Sequence, residues 1–277
     1  MKSRVVFVIP GIVWLALTVL GGCSRVFFVP DTRLIRTPGD IGMRYESVSI
    51  PVDDGVSLSA WYLPGKAPVL GTVVFLHGNA QNISYHLPSV HWLPKARFNV
   101  LTYDYRGFGV SGGRSNLENA IADFCRVMQW LELYESNPDT RRFIFGQSLG
   151  GTIAIAGTAQ CKSEFVFSGL IADSAFSGFR EIAREKASEV FWLRPFAPAL
   201  GWAIPDQPDV RRAIHALAPI PVMLIHGGQD TIVPVAHART LYDSARDPKD
   251  LWIEPAAKHI GALANPDLRA RMLQFMQ

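Results

Sequence analysis

Ser148 stands between glycines in Gly146-Gln147-Ser148-Leu149-Gly150-Gly151, directly after the apolar run 142–145 and directly before a helix-period segment. G-x-S-x-G between a strand and a helix is the nucleophile elbow, in which the serine occupies a strained turn that exposes its hydroxyl. A side chain at Gly146 or Gly150 would collide with neighbouring backbone. The helix start also aims free N–H groups and the positive end of its dipole at the serine. A serine hydroxyl is a poor nucleophile at neutral pH. A base must therefore take its proton, and a carboxylate must orient that base.

Seven histidines compete for the role of base. His77 sits in a loop after a strand and before the serine, His226 ends a strand, and His86, His91, His215 and His237 fall on or beside helices. His259 follows the last strand in a short loop, and the chain order serine, carboxylate, histidine that goes with this elbow selects it. Asp230, in His226-Gly227-Gly228-Gln229-Asp230, is the favoured carboxylate, because its 29-residue spacing to His259 leaves room for one helix and one strand. Asp173 is the competitor, with a loop or helix-capping role as its alternative. Acyl transfer also needs donors for the developing oxyanion, each worth about 3 to 4 kcal/mol. The N–H of Leu149 is one, and the loop His77-Gly78-Asn79-Ala80 supplies the other, with Asn79 preferred over Ala80. His77 is expected to brace that loop.

These residues need a frame. Segments 45–50 and 56–63 alternate as a hairpin about Asp53-Asp54-Gly55. Runs at 72–76, 98–103, 142–145, 165–172, 222–225 and 251–253 are short and apolar, as strands buried on both faces should be. Helical periodicity appears at 83–93, 117–133, 149–159, 235–245 and 266–276, and Ser115 with Glu118 suggests a capping box before the second of these. The alternation predicts an α/β fold, a mostly parallel doubly wound sheet with an N-terminal antiparallel hairpin and a site beyond the carboxyl ends of the strands.

With Phe75-Leu76-His77-Gly78-Asn79-Ala80, Tyr103-Asp104-Tyr105-Arg106-Gly107-Phe108-Gly109, the elbow and 226–234 in place, the chain resembles the α/β-hydrolase superfamily. It is similar to the small branch near monoglyceride lipases, membrane-associated acyl-protein thioesterases and prolyl-oligopeptidase-related hydrolases. That resemblance implies a serine hydrolase, with Asp104 and Arg106 bracing a structural loop. The family often carries glycine close before its histidine, whereas this chain reads Ala256-Ala257-Lys258-His259.

Composition narrows the rest. With 48% hydrophobic and 18% charged residues the chain can bury a core, and a net charge of +3 leaves no nucleic-acid footprint. Lys2 and Arg4 precede an apolar run at 5–20, shorter than the roughly 20 residues of a membrane span and suited to a signal peptide. Leu20-Gly21-Gly22-Cys23 resembles the lipobox of bacterial lipoproteins, which implies lipid on Cys23 and an exported, membrane-anchored protein of the cell envelope; an uncleaved signal anchor is the rival. Residues 1–22 are then the signal, 23–42 a tether and 43–277 one hydrolase domain. In an oxidising compartment Cys125 and Cys161 can pair if their Cα atoms lie within about 7 Å, but two buried free thiols is the simpler expectation.

The stretch 177–218 is too long for an ordinary crossover and is expected to form a cap, with Phe191, Trp192 and Trp202 as walls of an apolar acyl site. Packing of these aromatics against the domain is the alternative. No metal-ligand spacing and no dinucleotide fingerprint occurs, so no cofactor is expected. The expected activity is cleavage of a small-molecule ester or thioester, lipids among the candidates, through an acyl-enzyme. A peptidase or amidase of the same fold, or a non-catalytic binding lipoprotein, is the alternative.

Overall fold

The computed structural model describes residues 27–135, 137, 139–204 and 208–277. The predicted signal segment and Cys23 lie outside them. An eight-stranded sheet runs in the order β10-β9-β8-β7-β4-β6-β3-β2. Its strands are β2 (Glu46–Pro51), β3 (Ser57–Leu63), β4 (Gly71–Leu76), β6 (Phe98–Tyr103), β7 (Arg142–Gln147), β8 (Gly169–Asp173), β9 (Val222–Gly227) and β10 (Lys249–Glu254). Pairing is antiparallel for β2 with β3 and β3 with β6, and parallel elsewhere. The fold is thus that of an α/β hydrolase. Strands β4 and β7 are buried along their whole length, which explains why their sequences do not alternate.

Short α1 (Ile83–His86) is followed by α2 (Leu117–Tyr134), α3 (Leu149–Cys161), α4 (Phe179–Glu189), α5 (Ala197–Ala203), α6 (Val210–His215), α7 (Ala236–Ser244) and α8 (Pro266–Phe275). Helix α2 turns Leu117, Ala120, Ile121, Phe124, Met128 and Leu131 inward at three- and four-residue spacing. Its cap is Asn116 with Asn119, not Ser115 with Glu118; the Ser115 hydroxyl instead bonds the Arg106 carbonyl. Helix α3 is buried nearly all round and made largely of small and branched residues. It packs against α2, and Cys125 and Cys161 are disulfide-bonded across that contact, with Cα atoms 6.0 Å apart. The free-thiol expectation is corrected accordingly.

Three further expectations change. The predicted strand 165–172 begins only at Gly169, because the Glu164 and Phe165 amides still bond Cys161 O and close the preceding helix. The helix expected at 83–93 is one turn of α1 and a 3-10 turn at Leu87–Ser89, interrupted by Pro88. Residues 27–42 are not a free tether. Val29–Pro30 (β1) pairs with Ala80–Gln81 (β5), and Phe28 is buried edge-on against Tyr105 and Phe108.

Candidate active site

The elbow follows from steric limits on three backbones. Ser148 takes φ 55° and ψ −121°, a strained conformation for a residue with a side chain, and its N–H is held by Asp173 O at 2.8 Å. A Cβ on Gly146 would stand 2.6 Å from Gly151 Cα, and one on Gly150 would stand 2.6 Å from the Leu76 carbonyl carbon. Both glycines let α3 press against β7 and β4. Leu149 opens the helix, so its N–H has no acceptor within it.

The loop after β4 faces this helix start. Tyr105 donates its hydroxyl to His77 O at 2.8 Å, and His77 Nδ1 lies 2.8 Å from Gly78 O, which makes that nitrogen the protonated one. In a trans peptide C=O and N–H point oppositely, so the bond to Gly78 O turns the Asn79 N–H away from the imidazole. The far side of the His77 ring lies 3.4 Å from Asp104 Oδ1, which also accepts the Ile83 N–H. His86 stacks on His77, and burial, reinforced by that neighbour, lowers its pKa to about 4. His77 therefore braces the loop through its Nδ1–H, while Asp104 holds the Ile83 N–H beside it. Arg106 forms a bidentate pair with Asp123 at 2.8 and 2.7 Å.

At the ends of β9 and β10, His259 Nδ1 lies 2.7 Å from Asp230 Oδ2. Asp230 Oδ1 accepts the N–H groups of Ile232 and Val233, and His226 Nε2 approaches Oδ2 at 3.3 Å while also contacting Val233 O. Burial alone would raise the Asp230 pKa; the bonds from His226, His259 and Val233 outweigh it and hold the group well below the usual carboxylate range. The glycine missing before His259 has its counterpart across the gap. A Cβ on Gly227 would stand 2.5 Å from both Ala257 O and Lys258 O, so Gly227 admits the histidine loop. Ile260, at φ 50°, is clamped by its N–H to Ser174 Oγ.

Asp173 stands on the neighbouring strand and bonds to other groups. Its oxygens accept Gln147 Nε2 and Ser174 Oγ, and its pKa is raised, foremost by burial.

A cavity of about 430 Å³ opens over Ser148, Asn79 and Leu149, roofed mainly by Ile182, Leu193 and Ile204 from the 177–204 segment. Phe191, Trp192 and Trp202 do not line it. They are 74%, 78% and 78% exposed, which corrects the expectation that they form its walls. The walls that sequence reasoning missed include Phe27, Phe176, Ile232 and Val233. Phe27 falls in the expected tether, which carries no periodicity to mark it as packed. The expected 177–218 cap divides in two. Helix α4 with Leu193 and Ile204 roofs the cavity, whereas α6 buries Val210 and Ile214 against the body beside α3 and belongs to the crossover.

The family described as serine aminopeptidase, S33, matches residues 67–209, more than half the chain. The chain belongs to this family of α/β hydrolases. The match covers the elbow and ends before Asp230 and His259. Among relatives of this hydrolase, YfhR of Escherichia coli O157:H7 is 31% identical over 90% of this chain and 86% of its own. The α/β-hydrolase domain-containing protein WAV2 of Arabidopsis thaliana is 28% identical over 81% of this chain and 75% of its own. Among solved structures, the esterase Pf2001 of Pyrococcus furiosus superposes with a TM-score of 0.72 at 25% identity, covering 90% of this chain and 98% of that one.

Proposed function

We propose that this hydrolase cleaves carboxylic ester or thioester bonds of apolar acyl substrates, tethered to a membrane by lipid on Cys23. Ser148 Oγ attacks the acyl carbonyl while His259 Nε2, the ring nitrogen not bound to Asp230, takes the serine proton. The carbonyl π electrons move onto oxygen, where the Asn79 and Leu149 N–H groups stabilise the charge. Collapse expels the alkoxide or thiolate, which recovers the proton from His259. Water then repeats the sequence on the acyl-enzyme and frees the acid. Asp230 keeps the Nδ1–H tautomer and offsets the imidazolium charge.

The observation that carries this reading is the cavity itself: Ser148 and both expected oxyanion donors lie at the base of an otherwise largely apolar space. The named activity of the family, aminopeptidase, needs a carboxylate for the substrate ammonium. Among the described residues the one ionisable group lining the cavity is Lys186, of the wrong sign for that role. A disulfide between Cys125 and Cys161 fits export into an oxidising compartment, and the esterase similarity favours ester chemistry.

Fluorophosphonate labelling of wild type and Ser148→Ala tests the nucleophile, and rates on matched ester, thioester and amide substrates test the bond. Labelling that persists in Ser148→Ala, or a preference for the amide, overturns the proposal.

A further inference from the structure

We propose that the outer ridge of the cap is a membrane-docking surface that seats on a phospholipid bilayer beside the cavity. Val190, Phe191, Trp192, Leu193, Phe196 and Trp202 are all exposed, although soluble monomers seldom gather so many large apolar side chains on one short stretch. Between 190 and 204 the sequence holds one charge, the exposed Arg194, and Trp202 stands beside Arg180, Arg184 and Glu181, a net-basic rim suited to anionic headgroups. Tryptophan at such a ridge is the residue that prefers the headgroup level of a bilayer.

The N-terminal chain points to the same occupant. Phe27, where the described residues begin, packs edge-on to Phe179 at the start of α4, with ring centres 5.1 Å apart. The proposed lipid on Cys23 lies four residues before Phe27, so at about 3.5 Å each it holds the membrane surface within roughly 14 Å of the cap base. Leu193 belongs both to the ridge and to the cavity lining. An acyl chain leaving the bilayer at the ridge thus meets the space over Ser148 without crossing bulk water. The catalytic benefit rests on the hydrolase proposal above, whereas docking itself does not.

The test uses the full chain in phosphatidylcholine–phosphatidylglycerol vesicles with brominated acyl chains, which quench nearby tryptophans. Quenching should fall in Trp192→Phe/Trp202→Phe and stay at the wild-type level in the control Trp92→Phe/Trp252→Phe. Equal quenching in both overturns the proposal. In Phe191→Ser/Trp192→Ser, hydrolysis of a vesicle-embedded ester should drop by at least about tenfold, the loss expected for two aromatics no longer buried. Turnover of a soluble short-chain ester should not change. An unchanged rate on vesicles overturns the proposal, as does finding that wild type sediments as a dimer in detergent and this variant as a monomer, which would make the ridge an interface between copies of the chain. Ser148→Ala should abolish hydrolysis and leave quenching intact, so docking and chemistry fail separately.

Discussion

Gly150→Ala is the substitution for which the structure sets the largest consequence from the smallest change. The added methyl carbon would stand 2.6 Å from the Leu76 carbonyl carbon and nearer still to the Leu76 and His77 carbonyl oxygens, where ordinary contact begins at 3.4 Å. Neither partner can yield by rotating a side chain, so α3 and the end of β4 must separate by about 1 Å. Those two backbones carry the proposed oxyanion donors, Leu149 one residue before the substitution and Asn79 two residues beyond His77. A misplacement of about 1 Å costs on the order of 10²-fold in rate, and overpacking costs about 1 to 3 kcal/mol of stability. Gly157→Ala is the control. Its methyl would stand 2.5 Å from Phe124 Cδ1, away from either donor, so it should lower stability and leave kcat of the folded enzyme nearly unchanged. Steady-state kinetics on a soluble ester and urea unfolding of both variants decide the matter. A folded Gly150→Ala enzyme within threefold of wild type would refute the proposed placement of the donors, and equal kcat losses in both variants would show only general sensitivity to packing.

Other consequences are equally direct. Ser148→Ala and His259→Ala should each cost on the order of 10⁶ in kcat, with the double variant little worse, because the residues act as one unit; additive losses would contradict this. His86 is half-buried with its pKa lowered from 6.5 to about 4, so the unfolded chain takes up a proton that the folded chain refuses. Stability should fall as pH drops from 6.5 towards 4, by about 2 kcal/mol from this residue; urea unfolding at pH 7 and 4.5 should show a smaller decline in His86→Phe. Filling the cavity by Ala183→Phe should shift the preferred chain length of p-nitrophenyl esters downward, each methylene lost costing roughly fourfold in kcat/KM. An unchanged chain-length profile would place the acyl chain elsewhere.

The elbow and the strand order were legible because they rest on local rules. A glycine-flanked serine between an apolar run and a helical pattern has few other uses, and buried parallel strands announce themselves by lacking alternation. The cavity walls were not legible, because aromatic density says that a segment is apolar without saying which way it turns. Phe191, Trp192 and Trp202 lie on helix turns and connections whose outward direction depends on how α4 and α5 meet, a tertiary fact. Phe27 fails for the opposite reason. Its stretch carries no periodicity, and what holds it is the two-residue pairing of Val29–Pro30 with Ala80–Gln81, too short to leave a pattern.

Asp173 and Asp230 show most plainly what tertiary structure adds. Both follow or end neighbouring parallel strands, β8 and β9, and both are almost wholly buried. Desolvation raises the pKa of each, so burial cannot distinguish them. The difference is in the donors. Asp230 has two peptide N–H groups and two imidazoles, which together reverse the effect of burial; Asp173 has one amide and one hydroxyl, which do not. Asp230 is bonded to the His259 imidazole at 2.7 Å, whereas Asp173 accepts from Gln147 and Ser174, so Asp230 is the carboxylate placed to offset an imidazolium. Asp230→Asn should therefore lose about 10⁴ in kcat, whereas Asp173→Asn should retain most activity, its amide able to pair with the otherwise unpartnered Gln147 Oε1. Stability distinguishes them as well. The raised pKa of Asp173 favours folding below its unfolded value of about 3.9, an advantage lost as pH rises through the folded value. Relative to wild type, Asp173→Asn should accordingly gain stability as pH rises. Asp230 contributes above that unfolded value and loses its contribution only in strong acid. If Asp173→Asn proved as inactive as Asp230→Asn, with wild-type folding, the carboxylate would have to be reassigned.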